Sequence, residues 1–138
     1  MMVDAQLIRR RLKIPVPQSH KGDNGRVLVI AGSTKYHGAL LFVVRTASRV
    51  ADMVYVHSVE ENMPMVEKLK YDTGVFIGVY PDELWETVNL VDAVMIGPGL
   101  KESKENQELV HRLLTKHPDK KIVVDATAFW HTDPDDLH

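Results

Sequence analysis

Two short, β-branched apolar runs in this chain each end directly in a glycine-bearing loop, and that pairing narrows the folds open to it. Arg26-Val-Leu-Val-Ile-Ala31 leads into Gly32-Ser33-Thr34-Lys35-Tyr36-His37-Gly38-Ala39. Asp92-Ala-Val-Met-Ile96 leads into Gly97-Pro98-Gly99-Leu100. Short runs of this kind read as buried strands. Glycine just past a strand lets backbone approach a partner closely, often a phosphate-bearing ligand. In a parallel sheet both loops open on the same side, outside the carboxyl ends of the strands, where open α/β sheets bind ligands.

The rest of the chain supports such a sheet. Strands are predicted at 27–31, 53–57, 75–79, 93–96 and 122–125. Between them lie helical patterns. Residues 39–50 place Leu40, Val43, Val44, Ala47 and Val50 on one apolar face, and 103–117 start with Ser103 as cap and turn Leu109, Leu113 and Leu114 inward. Two shorter helices are predicted at 60–70 and 81–89. Strands alternating with helices imply a three-layer α/β/α fold with a mainly parallel sheet. Ahead of it, residues 4–13 read as a short helix capped by Asp4, with Leu7, Ile8 and Leu12 near one face. Pro15 and Pro17 then impose an extended connector, and Asp23-Asn24-Gly25 is a tight-turn signal. Residues 1–19 are therefore a helix and connector, and 20–138 the N-terminal part of a domain.

At the far end, Thr132-Asp133-Pro134-Asp135-Asp136 is a helix start, with a capping residue, proline at the first helical position and acids in the first turn. The sequence stops at His138. A helix so short is not self-stabilising, so the sequence reads as one cut at the start of an element.

Composition sets limits on function. Apolar content of 44% with 26% charged residues is that of a globular chain, not a disordered one. A net charge of -2 gives no electrostatic reason to expect nucleic acid or an acidic membrane as partner. The absence of cysteine excludes disulfides and thiolate metal sites and fits the cytoplasm. No apolar run is long enough to span a bilayer. Arg9-Arg10-Arg11 has no apolar core behind it, so it is not a signal peptide but a solvated helix face.

Neither glycine loop is a standard phosphate motif. Walker A needs four residues between its glycines and then Lys-Ser/Thr; here five separate Gly32 from Gly38, and Ala39 follows. The Rossmann Gly-x-Gly-x-x-Gly is also absent. Lys35, Ser33 and Thr34 suit a phosphate, but a plain strand-to-helix turn fits the same residues. Gly97-Pro98-Gly99 is sharper, since proline stiffens the turn and Gly99 can take positive φ, though a structural turn is equally open. Seven histidines are spread along the chain. His57, at a strand end, reads as packed or hydrogen-bonded. His111 and His117 read as solvated or as compensating a helix dipole. His131, Asp133, Asp135, Asp136 and His138 resemble a metal set only superficially, because the helix start accounts for the same acids. Asp125 closes the fifth strand, where a carboxylate faces the crevice or caps the next turn.

Read together, His20-Lys21-Gly22-Asp23-Asn24-Gly25-Arg26-Val27-Leu28-Val29-Ile30-Ala31-Gly32-Ser33, then Tyr36-x-Gly38-Ala39, then Asp92-Ala93-Val94-Met95-Ile96-Gly97-Pro98-Gly99-Leu100, and finally Val123-Val124-Asp125-Ala126-x-Ala128 resemble the ADP/ATP-dependent NAD(P)H-hydrate dehydratases. These belong to the ribokinase-like superfamily and are often labelled carbohydrate kinases. The resemblance runs from about residue 20 to residue 129 and lies in the ordered set of blocks. It implies repair of NADH or NADPH hydrated on the nicotinamide ring: a hydroxyl is phosphorylated by the nucleotide, and phosphate is eliminated to restore the double bond. By motif position it assigns Ala39 and Gly99 to the hydrated dinucleotide, with Gly32, Ser33, Gly38 and Gly97 lining that substrate and Asp125 near it. It implies ADP or ATP, with Mg, as cofactors.

Departures from the pattern qualify the resemblance. Lys101 stands where the family has glycine, and Thr127 and Phe129 replace an Asp and a Leu of the third block. The family's Thr-Pro-His-x-Gly-Glu segment, Lys-Gly loop and Gly-Thr-Gly-Asp anion hole do not occur in this sequence. The expectation is a truncated ribokinase-like domain that carries the substrate side, has no catalytic residue or resident metal of its own, and is inactive alone. An open sheet edge implies a homo-oligomer. The alternatives are a ribokinase-like kinase of a sugar or vitamin alcohol, and a non-catalytic half-length binding or assembly protein.

Overall fold

The computed structural model describes residues 4–11, 15–73 and 76–136. Its centre is a sheet of five parallel strands: β1 (Arg26–Ile30), β2 (Met53–His57), β3 (Phe76–Gly78), β4 (Ala93–Ile96) and β5 (Lys121–Val124). Their order across the sheet is β3-β2-β1-β4-β5. The chain thus moves outward from β1 through β2 to β3, returns to place β4 on the other flank of β1, and moves outward again to β5. The reversal falls between β1 and β4, whose pairing sets Val27 opposite Ala93 and Ile30 opposite Ile96.

The alternation of side chains along each strand builds two cores. On one face Leu28, Ile30, Val94 and Ile96 pack with Leu84, Val88, Val110, Leu113 and Leu114. The last five come from α4 (Leu84–Leu90) and α5 (Lys104–Lys116). On the other face Val29, Ala31, Val54 and Val56 pack with Leu40, Val44, Val66 and Leu69, from α2 (His37–Ala47) and α3 (Met63–Thr73). Burial on both faces explains why β1 is apolar at every position from Val27 to Ile30. The layers are helix, sheet, helix, as the alternating pattern predicted. The second face is bare over β5, where Val123 is 57% exposed.

Helix ends follow recognisable chemistry. Asp4 Oδ1 accepts the Leu7 N–H at the start of α1 (Ala5–Arg11), and Ser103 Oγ accepts the Asn106 N–H at the start of α5. At the far end of α4, Lys120 Nζ donates to the Asn89 and Val91 carbonyls, both at 2.8 Å. Short 3₁₀ turns, Glu60–Asn62 and Pro81–Glu83, lead into α3 and α4.

Several boundaries differ from the sequence reading. Helix α2 begins at His37 and ends at Ala47, so Gly38 and Ala39 lie in its first turn, while Val50 sits beyond it and is 66% exposed. The sequence period continued through Val50, but the chain leaves the helix in a turn over Ser48–Val50. The connector after Pro15 is not simply extended: Ser19 N–H donates to the Val16 carbonyl and closes a turn at Pro17. His117, half-buried at the end of α5, has a partner the sequence did not show: its ring stacks on Trp85 at 5.7 Å, and Arg112 lies 3.9 Å from the centre of the Trp85 ring, tying α5 to α4. Among the described residues the acids after Thr132 lie in a 3₁₀ turn, Pro134–Asp136, and of the two candidate caps it is Asp133 whose carboxylate accepts, from the Asp135 N–H. Leu12, Lys13, Val75 and His138 lie outside the described residues.

Asp52 is a residue the sequence did not single out. Its carboxylate accepts the Gly22 and Asn24 N–H groups and the Asn24 side chain, closing the turn that feeds β1. These bonds, the Asn24 N–H first, hold the carboxyl below its usual range.

Candidate functional site

The reversal of strand order between β1 and β4 makes a crevice outside their carboxyl ends, the position where doubly wound sheets hold ligands. Both glycine loops leave the sheet at this point and are bonded to each other. Gly32 N–H donates to the Pro98 carbonyl at 2.8 Å, and Gly97 N–H donates to the Ile30 carbonyl at 3.1 Å. Leu100 N–H closes the second loop on the Gly97 carbonyl at 3.0 Å. Thr127 in α6 (Ala126–Trp130) pins that turn by donating its hydroxyl proton to the Leu100 carbonyl at 3.0 Å. An ionised carboxylate has no proton to donate in this way, so the threonine hydroxyl suits this loop.

Five of the seven candidate residues line two clefts that share Leu100 as a wall. The larger, about 590 Å³, lies between the start of α2 and the Gly97–Leu100 turn and is lined by Lys35, Tyr36, His37, Gly38, Ala39, Gly99 and Thr127, among others. Gly38, Ala39 and Gly99 are thereby brought together from positions sixty residues apart. Gly99, at φ +71°, is packed so closely on the start of α2 that a Cβ there would sit 2.7 Å from the Tyr36 carbonyl oxygen and 3.1 Å from the Ala39 Cβ. The smaller cleft, about 240 Å³, opens over the ends of β1 and β2 and is lined by Gly32, Ser33, His57, Glu60, Lys101 and Asn106, among others. Ser33 is buried, and its Oγ accepts the Tyr36 N–H at 3.2 Å, so its hydroxyl shapes the loop.

The other two candidates line neither cleft. Gly97 is buried at φ +127°, and a Cβ there would fall 1.7 Å from the Asp125 carbonyl oxygen. Its role is to let the β4 and β5 loops touch. Asp125 is exposed at the end of β5; its N–H donates to the Ile96 carbonyl, and its side chain makes no capping bond to α6. Lys35 is exposed, with its ammonium 5.2 Å from the centre of the Tyr36 ring. Among the described residues no group of three or more histidine or acidic side chains is placed to hold a metal ion, and no helix is long and apolar enough to cross a membrane.

Two polar residues beneath the loops were not legible as site residues. Asn62 is 1% exposed and touches His37, Ser58 and Ser33 together. His57, as expected, is hydrogen-bonded: its Nδ1–H donates to the Val79 carbonyl at 3.0 Å. Burial pushes its pKa down, outweighing that bond. The imidazole therefore stays neutral to lower pH in the fold than in the unfolded chain, which takes up a proton at about pH 6.5. Stability is expected to be full above that pH and to fall as pH drops through it. His57→Asn, which keeps a donor for Val79, is expected to flatten this acid step in thermal melts recorded between pH 7.5 and 5.

Comparison with known proteins bears on the family and the fold. Residues 27–137 match the carbohydrate-kinase family model described as NAD(P)H-hydrate dehydratase. A bifunctional NAD(P)H-hydrate repair enzyme from Dictyoglomus turgidum is 36% identical over 92% of this chain, which spans 27% of that relative. Among solved structures, a ribokinase-like superfamily protein from Enterococcus faecalis superposes with a TM-score of 0.79 at 20% identity, over 94% of this chain and 46% of its own. An ADP/ATP-dependent NAD(P)H-hydrate dehydratase from Bacillus subtilis, co-crystallised with ATP/Mg2+, gives 0.70 at 25% identity, over 89% of this chain and 44% of its own. The chain thus spans less than half the length of each of these proteins. With the match covering most of its length and the fold ribokinase-like, the chain belongs to the NAD(P)H-hydrate dehydratase family.

Proposed function

We propose that this chain forms the dinucleotide side of a nucleotide-dependent dehydratase acting on hydrated NADH or NADPH, and that the larger cleft receives the dinucleotide. The observation that carries the reading is the meeting of Gly38, Ala39 and Gly99 in one cleft at the reversal of strand order. Open backbone at Gly38 lets a ligand lie against the first turn of α2: a Cβ there would meet nothing within 4 Å. The fold therefore does not require glycine at this position. In this reading Gly32, Ser33 and Gly97 shape the loops that form the cleft, and Asp125 stands at the crevice beside them.

ADP or ATP is the phosphoryl donor in this reading, and it is not held by the cleft just described. The lining carries no carboxylate to hold Mg, and the first loop lacks the Walker A spacing. The donor's site is placed on the part of the longer relatives that this chain does not span, so the chain by itself is expected to bind weakly and to turn nothing over. ADP-dependent loss of hydrated NADH catalysed by the 138-residue chain would overturn that expectation. The cytoplasm is the compartment assigned in this reading, as one in which the reduced coenzyme is used.

Gly38→Ala separates binding from folding. Alanine in the first turn of α2 is expected to leave the melting temperature unchanged or raise it, by up to about 1 kcal/mol of stability. The same variant is expected to weaken hydrated NADH, read from amide shifts in NMR titration. Unchanged affinity would count against the cleft.

The homo-oligomer expected of the chain is assigned to the β5 side. Among the described residues that strand has no neighbour on its outer edge, and Phe42, Val123, Phe129 and Trp130 are exposed, a combination that favours pairing with another copy. Sedimentation at increasing concentration is expected to show association; a clean monomer would remove this part of the reading.

A further inference from the structure

His37 opens α2 and lines the larger cleft. Its Nδ1 lies 2.6 Å from Oδ1 of the buried Asn62. The orientation of the Asn62 amide follows from its other neighbours. The Ser58 hydroxyl donates its one proton to the Ala31 carbonyl at 2.6 Å, so towards Asn62, at 2.8 Å, it accepts. The Ser33 carbonyl, 3.4 Å from the same amide nitrogen, is also an acceptor. Only an NH2 group satisfies both. The amide oxygen therefore faces His37, and because an amide oxygen only accepts, Nδ1 carries the hydrogen. In the neutral ring this leaves the lone pair on Nε2, on the side of the imidazole away from Asn62.

We infer that Nε2 of His37 accepts a hydrogen bond from a sugar hydroxyl of the dinucleotide, and that Asn62 is the positioning residue that fixes the ring and its tautomer. The inference rests on the reading of the larger cleft as the dinucleotide site. A dinucleotide carries hydroxyl donors on both of its riboses. No carboxylate lines the cleft to compete for them. If His37 served only to pin the start of α2 to the Glu60–Asn62 turn, its replacement would change stability and leave affinity alone.

Long-range proton–nitrogen NMR on the labelled chain tests this directly. The expected result is hydrogen on Nδ1 of His37 in the free chain, with the Nε2 resonance moving on titration with hydrated NADH together with the Ala39 and Gly99 amides. His37→Ala is expected to weaken binding by about tenfold, and Asn62→Ala to release the tautomer and weaken binding less. His37 is exposed, so its replacement carries the test even if Asn62→Ala does not fold. Adenosine and nicotinamide riboside, titrated separately, identify which ribose supplies the hydroxyl by which of them moves Nε2; movement with neither counts against the role. Hydrogen on Nε2 in the free chain, or wild-type affinity in His37→Ala while the Ala39 and Gly99 amides still move, overturns the role and leaves the cleft reading standing. No movement at Ala39 and Gly99 with hydrated NADH removes the cleft reading, and the role with it.

Discussion

Gly97→Ala is expected to destabilise the chain by about 3 kcal/mol or more, a fall of roughly 10 °C in melting temperature. Two effects combine. At φ +127° the backbone is outside the regions an L-residue adopts readily. The added Cβ would also fall 1.7 Å from the Asp125 carbonyl oxygen and 2.9 Å from the Ala128 Cβ, atoms of a backbone segment that is itself bonded to β4. Relief requires β5 and α6 to move away from the Gly97 turn, which breaks the Asp125–Ile96 bond and loosens Ala128 from the core it belongs to. Thermal melting followed by circular dichroism checks this. A loss below about 1 kcal/mol would mean that the loops do not approach as closely as described.

Gly99→Ala is expected to act on the ligand more than on the fold. Its φ of +71° is close to the left-handed region that alanine enters at a cost of about 1–2 kcal/mol. The new Cβ would press on the Tyr36 carbonyl oxygen at 2.7 Å and the Ala39 Cβ at 3.1 Å. Both belong to walls of the larger cleft, so the strain is relieved by displacing the surface proposed to meet the dinucleotide. We expect a stability loss of about 1–3 kcal/mol and at least a tenfold weaker affinity for hydrated NADH, roughly 1.4 kcal/mol. The two variants are thus distinguished by which measurement moves more. Full affinity in Gly99→Ala, with stability reduced, would place the ligand elsewhere.

What could be read from the sequence followed the strength of local signals. β2 and β4 were bounded to the residue, because Met53–His57 and Ala93–Ile96 are apolar runs stopped on both sides by polar or glycine residues. Ser103 announced α5 through its capping oxygen. The start of α2 was misplaced because Gly38 reads as loop by propensity, whereas packing of Leu40 and Val44 on the sheet holds the first turn in helix despite it. Val50 was assigned to the core by period alone and proved exposed. His117 gave no sign of its stacking partner, since Trp85 is 32 residues away in another helix.

The candidate site divides in the same way. Ala39 and Gly99 were legible only through resemblance of ordered blocks, and Gly32 and Gly97 through glycine after a strand. Asn62 was illegible, being one asparagine in a polar stretch whose three partners come from the β1 loop, the β2 loop and α2. Asp52 was hidden for the same reason, its partners Gly22 and Asn24 lying in the turn ahead of the neighbouring central strand β1.

The sequence by itself determined that the chain alternates strand and helix, that two strands end in glycine loops, and which family its blocks resemble. Each of these depends on residues within one turn or one strand of each other, or on their order. Only the tertiary structure decided that β1 and β4 are neighbours at a reversal of strand order, so that the two loops bond to each other and Gly38, Ala39 and Gly99 face one cleft. That decision belongs to the burial of Leu28, Ile30, Val94 and Ile96 in one core and of Val29 and Ala31 in the other, and long-range packing of this kind leaves no mark on any single stretch of chain.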